Sequence, residues 1–175
     1  MFRRFDIRIF LILFLNAAYV YMLSVLNTEI APAAYVVLPA IFIIPAALFL
    51  NFVQMLAAVV FSALLCEATT PLWPGATVVL WIIGAFAVHS MRFRFRACDW
   101  LSLTTLAEIL NIIIVFFYAL FFFREAENLF EYAVRVSTDA LVSAAVLLFA
   151  GKFSVSLAVS AANIFGMKMS ISEED

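Results

Sequence analysis

Residues 30–66 read IAPAAYVVLPAIFIIPAALFLNFVQMLAAVVFSALLC, 37 consecutive positions without a charged side chain. A helix of about 20 apolar residues crosses the ~30 Å hydrocarbon layer of a bilayer, so this stretch is too long for one membrane helix and long enough for two. Asn51 with Gln54 is the only polar break near its middle. That break predicts a second helix over 31–50 and a third over 52–67. Pro39 and Pro45 then fall inside the second helix, where each removes an intrahelical hydrogen bond and bends the axis.

Outward from this stretch the pattern repeats. An apolar run from Ile7 to Leu26 precedes it, too long for the core of a signal peptide, and reads as an uncleaved first helix. On the far side, the segment Glu67 to Gly75 gathers turn formers, with Pro71 and Pro74 unable to continue a helix and Gly75 free to take a left-handed backbone. A fourth helix follows over 76–91 and stops at Arg92, Arg94 and Arg96; a fifth, over 100–123, stops at Arg124. Beyond them, Lys152 divides two apolar runs. The expectation is a sixth membrane helix over 133–151 and then an interfacial or cytoplasmic tail over 152–175, with Ser154, Ser156 and Ser160 turned to water.

Composition agrees with this reading. Of 175 residues, 67% are hydrophobic and 13% charged, and mean hydropathy is +1.15, whereas soluble domains are about half apolar and a quarter charged. Such a chain cannot clothe itself in water. The apolar runs are far longer than the alternating strands of an outer-membrane barrel, which leaves helices that satisfy their own backbone hydrogen bonds. The expected fold is an all-α integral membrane protein, a six-helix transmembrane bundle forming a single domain with the lipid bilayer as its first partner. A net charge of −2 offers no basic surface for nucleic acid.

Orientation follows from the basic residues, which short loops retain on the cytoplasmic side. With the N terminus inside, Arg3, Arg4, Arg8, Arg92, Arg94, Arg96, Lys152 and Lys168 are cytoplasmic, and only Arg124 and Arg135 are exterior. Both termini are then cytoplasmic. Trp73 and Trp100 stand near helix ends, where indole rings favour the headgroup layer.

Chemical constellations are sparse. His89 is the single histidine, Cys66 and Cys98 fall at opposite faces and in no metal-ligand spacing, and Gly75, Gly84, Gly151 and Gly166 never cluster into a phosphate loop. No catalytic set, metal site or cofactor site is expected, and the chain does not read as an enzyme. The informative polar group is Glu108, about 12 Å along the fifth helix from Trp100, with Thr104 and Asn111 on the same face. An ionisable group at that depth faces the bundle interior or water. It either handles a proton or ion, or bonds a neighbouring helix, with Asn16 of the first helix as a partner. Arg92, Arg94 and Arg96 form a cytoplasmic basic patch, either a topology determinant at anionic headgroups or a dock for a partner. Arg135 and Asp139, one helical turn apart, read as a structural pair.

The stretch from Pro32 to Arg96 resembles the rod-shape-determining MreD family of bacterial inner-membrane proteins. The resemblance is carried by Pro32 opening the second helix and by Phe61-Ser62-Ala63-Leu64-Leu65-Cys66-Glu67, a small and apolar helix end closing on an acid. Thr69-Thr70-Pro71-Leu72-Trp73-Pro74-Gly75 forms the loop, and Gly84 and the terminal arginines follow. Glu67 stands where the family has Asp, and Trp73 and Pro74 replace a glycine of the loop. The resemblance implies a non-enzymatic, multi-pass assembly protein of the cell-wall elongation machinery, acting through helix and loop contacts with an MreC-like partner and other elongation proteins. The alternative is a solute-binding membrane subunit similar to those of energy-coupling-factor transporters, also six-helix proteins of this size. The first helix lacks the small-x-x-x-small stripe by which such subunits dock. A closed core favours assembly, and a polar-lined exterior pocket of several hundred Å³ favours solute binding.

Overall fold

The computed structural model describes residues 7–30, 33–69, 75–92, 100–123 and 128–164. Six helices make up nearly all of them: α1 (Arg8–Ile30), α2 (Pro39–Phe49), α3 (Phe52–Thr69), α4 (Ala76–Met91), α5 (Trp100–Phe122) and α6 (Leu129–Ile164). Four are long and apolar enough to cross a membrane, namely α1, α3, α5 from Leu101 onward, and α6. In each, no more than a third of the apolar window is buried inside the molecule. Phe14, Val53, Ile83, Leu141 and Phe149 point outward, and exposed apolar surface on this scale needs lipid to cover it.

The element at the centre is α2, all of whose residues are buried. It touches each of the other five helices, which is why its sequence is hydrophobic all round rather than amphipathic. Here the structure departs from the expected helix over 31–50. Residues 34–38 are not helical, and the helix begins only at Pro39. Proline explains the shift: its ring disfavours helical backbone at the preceding residue, and its missing N–H costs nothing at the first helical position. Leu38 accordingly sits at φ −128° and ψ 56°. Pro39 therefore opens the helix instead of bending it, while Pro45 lies inside it as expected.

With 11 residues, α2 is about 16 Å long and too short to cross a bilayer alone. The extended stretch 34–38 leads into it from the end of α1, where Ala33 and Ala34 N–H bond Ile30 O, and beyond its far end the Arg92 guanidinium at the end of α4 reaches Leu50 O. Buried non-helical backbone needs other protein groups to satisfy it. Asn27 of α1 does so twice, accepting from Val36 N–H at 2.8 Å and donating from Nδ2 to Val36 O at 2.9 Å. From α6, Asp139 accepts from Tyr35 N–H at 2.7 Å and Ser143 from Val37 N–H at 2.9 Å. The second apolar segment is thus a short helix preceded by extended backbone held by side chains.

The second departure is α6. In place of a helix over 133–151 and a separate interfacial segment, one helix of 36 residues runs through position 152, about 54 Å long. A lone lysine sets no helix break, because only proline, or glycine at a cap, withdraws the backbone bond. Ser154 is 2% exposed and donates to Gly151 O, against the expectation that it faces water; Ser156 and Ser160 are exposed.

The turn between α3 and α4 is built by Glu67. One carboxylate oxygen accepts from Gly75 N–H at 3.0 Å, and the other from Thr77 and Val78 N–H at 3.0 and 3.3 Å. These are the N–H groups that the first turn of α4 leaves without intrahelical partners, and a carboxylate there also meets the positive end of the helix dipole. Gly75 adopts φ +85° to begin the turn, a conformation that costs a side-chain-bearing residue energy. Pro71 lies outside the described residues. Glu67→Ala removes all three bonds, and a loss of roughly 2–3 kcal/mol is expected, with Glu67→Gln retaining part of it. Thermal melting of the detergent-solubilised protein checks the order wild type, Gln, Ala.

Candidate functional site

One end of the bundle, where α1, α3 and α5 finish and α4 and α6 start, encloses a cavity of about 510 Å³. Its walls come from every element. Val20, Leu23 and Asn27 belong to the last turns of α1, and Tyr35 to Leu38 to the extended segment. Cys66 and Thr69 close α3, Thr77 and Trp81 open α4, and Val115, Tyr118 and Phe122 lie on one face of α5. Tyr132, Arg135 and Asp139 complete the rim from α6. The volume falls in the ~300–1,000 Å³ range of small-molecule sites, which are mostly apolar with a few placed polar groups.

Two sets of interactions fix the walls. On the inner side, Phe42 stacks on Trp81 with ring centroids 5.2 Å apart and planes inclined by 18°. Trp81 Nε1–H then donates to the Tyr118 hydroxyl at 2.9 Å, tying α4 to α5. At the rim, Arg135 Nε lies 3.5 Å from Asp139 Oδ1, the atom that also accepts from Tyr35 N–H, and the Tyr132 hydroxyl donates to Ala119 O. Among the described residues that line the cavity, Arg135 and Asp139 are the charged ones, and they form a pair. Thr77 lines it too, is 1% exposed, and has a hydroxyl with no hydrogen bond among the described residues. Its backbone N–H is held by Glu67, so the cap of α4 also positions a cavity side chain.

The residues expected from sequence fall in several places. Thr104, Glu108 and Asn111 share a face of α5 with Val115 and Tyr118 but lie nearer its other end, and they do not line the cavity. Asn111 is 1% exposed, and Asn111 Oδ1 and Glu108 Oε1 are buried without a hydrogen bond among the described residues. Asn16 is not the partner proposed for Glu108: its Nδ2 donates to Ser62 Oγ at 2.7 Å, pinning α1 to α3. Arg92 does not join an outward patch. It is 1% exposed and points at the C-terminal end of α2, where His89 Nδ1 also contacts Ala47 O at 3.0 Å. Arg94 and Arg96 lie outside the described residues, as does Cys98, while Cys66 stands at the cavity wall. Arg135 and Asp139 form the pair that their spacing implies.

Sequence reasoning missed Asn27, Thr77, Tyr118 and Ser143. A signal was available in retrospect: Asn27, Thr77, Tyr118 and Asp139 all fall near helix ends that the predicted topology brings to one membrane face. No group of three or more His, Cys, Asp or Glu able to hold a metal ion occurs among the described residues. Comparisons with protein-family models, curated proteins and solved structures find no match to this chain.

Proposed function

We propose that this protein binds a small solute in the membrane, in the manner of the substrate-binding subunit of an energy-coupling-factor type transporter. The observation that carries the reading is the cavity of about 510 Å³, bounded by all six helices and by the extended backbone of Tyr35 to Leu38. A protein that works only through its outer surface has no need to break a membrane pass and satisfy the exposed backbone with Asn27, Asp139 and Ser143. With the N terminus in the cytoplasm, as the lysine and arginine distribution favours, the cavity opens toward the exterior, the side from which an imported solute arrives. A bacterial inner membrane is the setting this implies. The chain carries no catalytic role in this reading; it binds and releases.

Native mass spectrometry of protein purified in mild detergent tests it. A co-purified mass of a few hundred daltons is expected in the wild type and should be lost in Leu23→Trp, which fills the cavity with an indole. Its retention in a folded Leu23→Trp protein, or its absence from every wild-type preparation, would sink the reading.

The assembly reading, an MreD-like partner of an MreC-like protein in cell-wall elongation, is supported by a different observation. Glu67 and Gly75, two of the positions that carry the resemblance, are joined by a hydrogen bond from Gly75 N–H to the Glu67 carboxylate. Co-purification with a membrane-anchored partner, abolished by substitutions in that turn and untouched by Leu23→Trp, would favour assembly.

A further inference from the structure

We infer that Glu108 and Asn111 form an intramembrane site for a small monovalent cation, a proton or Na+, on the face of α5 that packs inside the bundle. The site stands apart from the cavity and does not rest on the solute-binding reading. Residues three apart on a helix are neighbours, so the carboxyl of Glu108 and the amide of Asn111 stand side by side. Glu108 Oε1 and Asn111 Oδ1 are both buried, and neither meets a donor among the described residues; Asn111 is 1% exposed. A carboxylate oxygen and an amide oxygen only accept, so the two cannot satisfy each other. What both lack is one positive centre between them. Buried acceptors left unpaired are costly, and a single cation removes both deficits.

Depth and surroundings set the class of ligand. Glu108 lies about 12 Å along α5 from Trp100, within a helix long and apolar enough to cross a membrane, where an ionisable side chain marks an ion or proton path by default. The helices packed on α5 are α2, α4 and α6. α2 carries no ionisable side chain, and His89, the one on α4, points at Ala47 O. On α6, Arg135 and Asp139 belong to the cavity rim, while Lys152 follows Gly151, which lies against Ala107. A Ca²⁺ or Zn²⁺ ion would need further carboxylate or imidazole ligands. No group of three or more His, Cys, Asp or Glu occurs among the described residues. One carboxylate matches one positive charge.

Dicyclohexylcarbodiimide, an apolar reagent, adds to membrane carboxyl groups that carry a proton and is blocked where Na+ holds the carboxylate. The full chain in lipid nanodiscs is treated over a range of pH in NaCl or in choline chloride of equal strength, and the adduct is read by intact mass and peptide mapping. An adduct on Glu108 is expected, absent from Glu108→Gln. At a Na+ site, NaCl in place of choline chloride slows labelling at least about tenfold. At a proton site the two salts act alike and labelling falls about tenfold per pH unit above its midpoint. In either case Asn111→Leu should raise the cation activity needed for half the effect by about tenfold. Should that variant fail to fold, Asn111→Ala must show the same shift. No Glu108 adduct in choline chloride at any pH, an adduct indifferent to both pH and Na+, or Asn111 variants that respond as wild type would each overturn the inference. So would labelling that appears only in Lys152→Met, since an ion pair would then hold the carboxylate.

Discussion

Asn27→Leu is expected to destabilise the folded protein by roughly 3–5 kcal/mol, because it strands both the N–H and the C=O of Val36 in a buried, non-helical segment. Interhelical side-chain bonds in membranes average only about 0.6 kcal/mol, since the separated helices find other partners. That average does not govern here. Val36 has no helical bond to fall back on, Asn27 is 8% exposed and Val36 2%, and each backbone group left unpaired in hydrocarbon costs several kcal/mol. A fall in melting temperature on the order of 10 °C follows for a chain of this size, read by fluorescence-detected size exclusion after heating. Ser143→Ala, which removes one bond to Val37 N–H, should cost less than half as much. Asn27→Asp keeps an acceptor for Val36 N–H but sets an oxygen against Val36 O, so it should fall close to leucine. A loss under about 1 kcal/mol for Asn27→Leu would mean that the segment relaxes onto other partners. The cavity wall formed by residues 35–38 would then be soft rather than built.

The same segment shows what was legible in the sequence and what was not. Length and hydropathy counted the helices correctly, and the boundaries of α3, α4 and α5 fell within two residues, because arginine clusters and the Glu67 to Gly75 turn mark them. The nature of the second apolar segment was hidden. An apolar run such as Tyr-Val-Val-Leu satisfies a hydropathy window equally well as helix or as extended chain. What decides between them is whether distant side chains reach the backbone, here Asn27, Asp139 and Ser143. Pro39 carried part of the answer, since proline at the first helical turn is as favourable as proline mid-helix is costly. Lys152 misled in the opposite way, by suggesting a boundary where the backbone needed none. Glu108 drew notice as the lone acid in its helix, but the cavity formed at the other end of α5 from residues that individually look like ordinary membrane-helix side chains. Only their convergence marks them, and convergence is a property of the fold.

Arg92 gives the second large effect. Its guanidinium is 1% exposed, and Nη1 lies 3.5 Å from Leu50 O, at the end of α2 where carbonyl groups lack intrahelical donors and the helix dipole is negative. Arg92→Met keeps the apolar stem and deletes the charge, leaving Leu50 O without this donor, and should cost roughly 2–4 kcal/mol. Arg92→Lys should be milder, since an ammonium can still face the carbonyls but not in a fork. Arg92→Glu puts a carboxylate among carbonyl oxygens in a buried site, where an uncompensated ion costs several kcal/mol or more. No monodisperse protein is expected after its extraction in mild detergent, whereas the lysine and methionine variants should be recovered with successively lower melting temperatures. Burying an ion can cost more than its contacts return, and methionine in place of a buried charge is sometimes neutral. A methionine variant as stable as the wild type would therefore assign the anchoring of α2 to its apolar packing alone. The predicted order instead makes the arginine at the end of α4 the tie that holds the short central helix in register, and with it the Phe42–Trp81 wall that faces the cavity.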